Sequence, residues 1–388
     1  MPLSHPFLIP PDVSGEGSPA GTGRFAAVCP AAAVAAGNAP SASALQRRRA
    51  LQWAGAALLA GAAAPHSARA QSAPTPAAAA LAAASSPAAT PGWPNRPVRV
   101  MVGFGAGSSP DMVARIIAEP LSQALGQAVV VENHAGASGN IAATQVARAT
   151  DQHTIGMLIN GNLTIAKLLN PATAYEPQQD LQPLSLLCVA PMVLAVPSAL
   201  PGAQGQSFSA AAKAVGDRWS YGSPGLGTLG HLGMEVLKSR TGWAAVHVPY
   251  QGNPQVITAM VGGQIQLALL PPGLARAQVE SGRLRAIGVT AARRSTLVPE
   301  TPTLAEAGLP DVALEIWTAA AAPASMPHPI ARRLSLLISQ IVQTQDVAQK
   351  LERQGYEAVG SSAQVLAERM RSDTALLGGI IRSQGIVQ

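Results

Sequence analysis

The sequence predicts an α/β fold of two lobes, each a mostly parallel sheet flanked by helices, with two crossover strands as the hinge. Three observations carry this expectation. Short apolar runs alternate with helical stripes and meet them at glycines. Two long apolar runs, 184–196 and 312–323, divide the alternating units into separate sets. Two glycine-rich turns, about 120 residues apart, stand at equivalent strand-to-helix joints, one in each set.

Residues 98–102 read as a short apolar strand, and 111–125 as a helix with Met112, Ile116 and Leu121 on one stripe. A β-branched strand at 128–131, a helix at 139–149 and a strand at 154–159 continue the pattern. The run 184–196, stopped by Pro197, crosses to the second lobe. There the alternation restarts: helix 208–215, strand 219–221, helix 229–240, strand 245–248, helix 254–261, then strands 265–270 and 284–289. The run 312–323 returns, and helices at 329–342, 347–354 and 363–381, with a strand at 357–359, complete the first lobe. Lobe one is thus expected over 93–196 plus 313–388, and lobe two over 197–312.

Residues 1–44 are rich in Ala, Pro, Gly and Ser and carry no periodic apolar face. Arg47, Arg48 and Arg49 precede an apolar run at 50–64 and a small-residue site at Ala68-Arg69-Ala70. That order describes an export signal, of the general secretory or twin-arginine kind, and places the protein in the periplasm. The run is too short and too alanine-rich for a membrane span. Residues 71–92 read as a disordered Ala/Pro/Ser tether.

The 388-residue chain carries a formal +6, but after residue 70 the balance is 21 basic to 18 acidic side chains, or +3. No basic cluster is interleaved with aromatics, which argues against nucleic-acid binding. Cys29 falls in the leader, leaving Cys188 among apolar neighbours as a buried, inert thiol. None of the five histidines after residue 70 has metal-ligand spacing, so neither a metal nor a cofactor is expected. G-x-S-x-G, H-E-x-x-H and cysteine–histidine signatures are missing from the sequence, which argues against an enzyme.

The turns carry the functional signal. In the first, Gly103, Gly105 and Gly107 permit positive φ and close approach to a ligand, and Ser109-Pro110-Asp111 reads as a helix start with Ser109 as N-cap. Asp111 complements the helix dipole, and Ser108 and Ser109 offer hydroxyls. In the second, Ser223-Pro224-Gly225-Leu226-Gly227-Thr228 leads to a helix capped by Thr228, with His231 in its first turn as a neutral donor. Helix starts aim unpaired N–H groups outward, so two facing starts suit a small anion. Asn160 closes the third strand, at the end that faces the crevice in open α/β sheets. The candidate contacts are therefore Phe104, Gly105, Ala106, Gly107, Ser108, Ser109, Asp111 and Asn160 from lobe one. Lobe two offers Ser223, Gly225, Gly227, Thr228 and His231.

The glycine spacing also invites a nucleotide-binding α/β enzyme as the alternative. Its third glycine comes one residue early for G-x-G-x-x-G, although Glu132 stands where the ribose-binding acid belongs.

From Trp93 to the C-terminus the chain resembles the periplasmic substrate-binding receptors of tripartite tricarboxylate transporters, the Bug receptors. The family's aromatic-Pro opening and its F-x-P-G-G-x-x-D-x-x-A-R loop correspond to Trp93-Pro94 and to Phe104 through Arg115. Its V-V-V-E-N-R-P-G-A-G-G-N corresponds to Val129 through Asn140, and its S-x-G-x-G-T-x-x-H-L to Ser223 through Leu232. Its H-V-P-Y-x-G and P-T-x-x-E-A-G-L-P stand at 247–252 and 302–310. The resemblance implies a monomeric, two-lobed periplasmic binding protein. Its two glycine-rich turns would grip one carboxylate of a small ligand, which the receptor hands to separate membrane transporter subunits. A receptor of the same fold can instead serve a membrane sensor. Two departures bear on the ligand. Ser108 stands where the family has a second glycine, and Gln266 and Leu270 replace the two acids of G-G-Q-V-D-L-x-F-D. If the second of those acids faces the cleft, an anchor for a ligand ammonium is lost and an uncharged distal end is expected.

Overall fold

The computed structural model describes residues 92–201 and 207–386. The expected leader, Cys29 and nearly all of the tether lie outside the described residues.

The chain enters through β1 (Val98–Val102), α1 (Ser109–Leu125), β2 (Val129–Asn133), α2 (Asn140–Ala147) and β3 (Thr154–Ile159). Three short helices follow, α3 (Asn160–Thr164), α4 (Ala166–Leu169) and α5 (Pro177–Asp180), and then β4 (Leu181–Pro191). The second lobe holds β5 (Val193–Pro197), α6 (Ser207–Ala214), β6 (Ser220–Ser223), α7 (Leu229–Thr241) and β7 (Val246–Pro249). It continues through α8 (Asn253–Val261), β8 (Leu267–Leu270), α9 (Pro272–Glu280) and β9 (Leu284–Val289). The chain returns through β10 (Glu315–Pro323), α10 (His328–Val342), α11 (Gln345–Arg353), β11 (Glu357–Ala358) and α12 (Ala363–Gln384).

Two sheets result, ordered β11-β4-β10-β3-β1-β2 and β7-β6-β8-β5-β9. The parallel pairs are β1 with β2 and β3, and β6 with β7 and β8, which are the strands joined by helical crossovers. The strands that travel between lobes enter from the opposite end, so β10 pairs antiparallel with β3 and β4, and β5 antiparallel with β8 and β9. Each sheet is therefore mixed, with its parallel part where the strand–helix alternation is regular.

The first crossing falls at Met192, because β5 belongs to the second sheet rather than to the end of lobe one as expected. The second crossing leads into β10. Thr290 ties the two together. Its hydroxyl donates to Leu314 O at 2.6 Å and accepts from Met192 N at 2.8 Å, while its own N–H donates to Met192 O at 2.8 Å. Cys188 is fully buried in β4, and burial pushes its thiol up to about 12, as its apolar neighbours led us to expect.

The first core packs Val100 and Val102 of β1 against Val113, Ile117 and Leu121 of α1 and against Leu334 and Ile338 of α10. The second packs Leu194, Leu232, Leu237, Leu267 and Leu269. Each such side chain contributes about 1.5–3 kcal/mol by leaving water. Helix α12 belongs to both lobes. Leu366 and Met370 pack with Trp317 and Ala319 in the first, whereas Leu377 and Ile381 join the second-lobe core.

Candidate functional site

The first turn is built from beneath by Asp111. Its carboxylate is almost fully buried and accepts from Gly107 N–H at 2.9 Å, Asn133 Nδ2 at 2.9 Å and Arg115 Nε at 3.0 Å. Burial opposes its ionisation, but the Arg115, Gly107 and Asn133 donors outweigh it and hold the carboxyl below its usual range. Asn133 also donates to Phe104 O at 2.8 Å, tying the turn to β2. Asp111 thus shapes the turn and does not face the ligand space expected of it. Of the three glycines only Gly107 has positive φ (77°). Gly103 serves close packing instead, since a Cβ there would meet the backbone of Gly139. Gly105 is half-buried, Ala106 and Gly107 are exposed, and none of the three is among the residues that line the cleft.

The helix begins one residue earlier than expected. Ser108 is the N-cap of α1, and Ser109 and Pro110 form its first positions. An N-cap hydroxyl normally accepts from a first-turn amide. Ser108 does not, and neither does Thr228 at the start of α7, whose Oγ1 donates to Gly225 O at 2.7 Å. The first-turn amides of both helices are left without that partner.

The second turn is also held from behind. Gly225 and Gly227 have φ of 124° and 74°, values that disfavour any side chain. Ser223 Oγ receives Gly225 N–H at 3.2 Å and pairs with His247 Nε2 at 2.7 Å. His231 Nδ1 accepts from Gly227 N–H at 3.2 Å, which requires a neutral ring, and burial lowers its pKa accordingly. Ser223, Gly225, Gly227 and His231 therefore set the shape of the turn, while Thr228, Leu229 and Gly230 reach the cleft.

The rings of Tyr221, His247 and His231 stack beneath this turn, with His247 centred 4.8 Å from Tyr221 and 4.3 Å from His231. Burial, followed by the neighbouring His231, pushes His247 down to about 4. An unfolded imidazole titrates near ~6.5, so between these values the unfolded chain binds the extra proton. Stability is complete above ~6.5 and is lost as the pH falls through this window. The melting temperature is expected to drop on acidification across it, and His247→Gln to flatten the drop in part, His231 keeping the rest. An unchanged acid profile in His247→Gln would refute this assignment.

The two turns face one cleft between the lobes, with about 500 Å3 of empty space when the part open to solvent is counted. Phe104, Ser108, Ser109 and Asn160 from lobe one and Thr228 from lobe two line it, five of the residues singled out in the sequence. The reading of the sequence missed Asn253, Pro271, Tyr356 and the crossing residues Met192, Ile316, Trp317 and Thr318. Gly252-Asn253-Pro254 repeats the polar-residue-then-Pro pattern of Ser109-Pro110 at a helix start, a signal that was available. Helix α9 lies between the strands expected at 265–270 and 284–289, a stretch in which the sequence analysis places no element.

Among the described residues, seven buried side-chain polar atoms lack a hydrogen-bond partner, and five of them belong to cleft-lining residues. They are Ser108 Oγ, Ser109 Oγ, Asn160 Nδ2, Asn253 Oδ1 and Tyr356 Oη. Each such group costs about 1–3 kcal/mol when left unsatisfied. Their gathering around one cleft, from both lobes, marks a place built to hold a polar partner. None of the described lining residues carries a side chain charged at neutral pH, since burial raises the Tyr356 phenol above its usual value. Glu132, the candidate ribose ligand, is engaged elsewhere, in a 2.9 Å pair with Arg99.

The lobes touch on both rims. Gly225 lies against Ser138 and Gly227 against Leu169 on one, while Gly273 meets Gln354 and Gly355 on the other. Arg276 Nη2 donates to Arg353 O across this second rim at 2.6 Å.

The sequence profile of the tripartite tricarboxylate transporter family receptor matches residues 113–386. The UPF0065 protein in the tcbD-tcbE intergenic region of Pseudomonas sp. strain P51 is 34% identical over 285 residues, which is 73% of this chain and 84% of that relative. The structure of R. palustris Rpa4515 with adipate superposes with a TM-score of 0.73 at 30% identity, covering 76% of this chain and 99% of that one. The periplasmic binding protein BugD superposes with a TM-score of 0.72 at 28% identity, with the same coverage of 76% and 99%.

Proposed function

The chain belongs to the tripartite tricarboxylate transporter receptor family of periplasmic solute-binding proteins, and from that premise we propose that it captures a small carboxylate between its lobes and delivers it to a membrane transporter. One observation supports this reading above the others: the unpartnered polar atoms collect on a cleft that two helix starts also face. A carboxylate accepts from several donors at once, so hydroxyls, an amide and first-turn N–H groups from both lobes can share one. In a cleft that excludes water such dipoles hold an anion without a fixed cation. Rpa4515, with adipate bound, gives a related fold holding a small carboxylic acid. Export to the periplasm through the N-terminal signal is part of the same proposal.

The grip is expected to be divided between lobes, with Ser108, Ser109 and Asn160 on one side and Thr228, Leu229 and Gly230 on the other. Thermal-shift measurement of the purified full chain against small carboxylates and dinucleotides tests it. A carboxylate at 100 times its Kd adds about 2.7 kcal/mol, a rise of roughly 4–5 °C for a folded part of this size. A response to dinucleotides alone would favour the enzyme alternative. Delivery is tested by uptake of the labelled ligand in cells with and without this receptor.

A further inference from the structure

We infer that the ligand is a monocarboxylate whose remaining body is uncharged, so that the cleft rejects both a second carboxylate and an ammonium. This rests on the receptor reading and deepens it.

The donors that suit a carboxylate sit at the starts of α1 and α7, around Ser108, Ser109 and Thr228. Beyond them the wall is supplied by Ile159, Met192, Pro271, Ile316 and Trp317, which offer apolar surface. Asn160 and Tyr356, the latter beside Ser109, extend the carboxylate end, which leaves Asn253 and Thr318 as neutral polar groups on the distal wall, and the unpartnered Asn253 Oδ1 suits a hydroxyl or another neutral donor on the ligand body. The adjoining recess, which shares Asn160 and Leu229, does hold charges, but they are committed to one another. Arg369 pairs with Glu315 at 3.3 Å and with Asp373 at 2.9 Å, and Asp373 also accepts from Trp317 Nε1 at 2.6 Å.

The two replaced acids add nothing to that wall. Leu270 packs into the second-lobe core, and Gln266 Oε1 accepts from Ser220 N at 2.9 Å, so neither lines the cleft. The case against a charged distal end therefore comes from the cleft wall as a whole. The donors at the starts of α1 and α7 are taken by the first carboxylate, so a second charge carried into this space loses its water and meets no opposite charge to replace it.

Calorimetry on the full chain with matched ligands tests this. Hexanoate, adipate and 6-aminohexanoate share one chain length, and benzoate, terephthalate and 4-(aminomethyl)benzoate form an aromatic series. The uncharged-tail member of at least one series is expected to bind roughly tenfold or more tighter than its charged partners. Adipate or terephthalate binding as tightly as its monoacid would overturn the inference and leave the receptor reading standing. Binding by no member of either series would overturn both. Asn253→Asp supplies a distal anion at a helix start, where an acid is compatible with the fold. It is expected to shift preference toward 6-aminohexanoate, and no gain for that ligand would overturn the assignment of this wall as the distal end.

Discussion

Gly273→Ala is expected to weaken carboxylate binding about a hundredfold or more while leaving the unliganded fold at least as stable as before. Gly273 lies in the first turn of α9, against the backbone of Gln354 and Gly355 in the other lobe. A Cβ there would occupy the place of the Gln354 carbonyl. Both surfaces are backbone, so no side chain can swing aside. When the lobes part the collision vanishes, and alanine suits a helix better than glycine by up to about 1 kcal/mol. The substitution thus penalises the closed arrangement alone, and apparent affinity falls with the fraction of molecules able to close. Calorimetry paired with a melting curve checks it. Native affinity in Gly273→Ala would show that this rim need not meet for binding.

Gly103→Ala is expected to cost about 3 kcal/mol of stability, which lowers the melting temperature by roughly 5 °C. Gly103 ends β1 just before the first turn, and its Cα faces the Cα and carbonyl of Gly139. A methyl group forces these two segments apart. The displacement reaches Phe104 on one side and, on the other, Ser138, which lies against Gly225 across the cleft. Gly105 is the internal control, because a Cβ there meets nothing within 4 Å and its φ is not positive. Gly105→Ala is expected to change stability by less than about 0.5 kcal/mol. Equal melting temperatures for the two variants would contradict the packing role of Gly103.

These glycines show what could be read before any coordinates. Their spacing marks both turns, and the turns do face one cleft. The same spacing does not say what each glycine is for. Gly103 makes room for Gly139, Gly107 bends the chain and donates to Asp111, and Gly273 makes room for the opposite lobe. Helix and strand order was legible because each unit repeats a local period, whereas the cleft wall was not. Met192 and Trp317 sit in apolar runs that read as hinge strands, and Tyr356 stands in the short joint between the helix expected at 347–354 and the strand expected at 357–359. They line the cleft only because residues far apart in sequence meet there. His231 and Asp111 were legible as important but not as supports, since their partners Gly227 and Gly107 are backbone amides.

Helix α12 runs from one core into the other, and Thr290 laces both crossing strands where the chain changes sheet. Pulling Leu377 and Ile381 out of the second lobe would expose two large aliphatic groups, at about 1.5–3 kcal/mol each. The halves are thereby denied the freedom of beads on a string. They share a stiff spine, and a hinge motion of the proposed kind is expected to keep Ser109 and Thr228 facing one another.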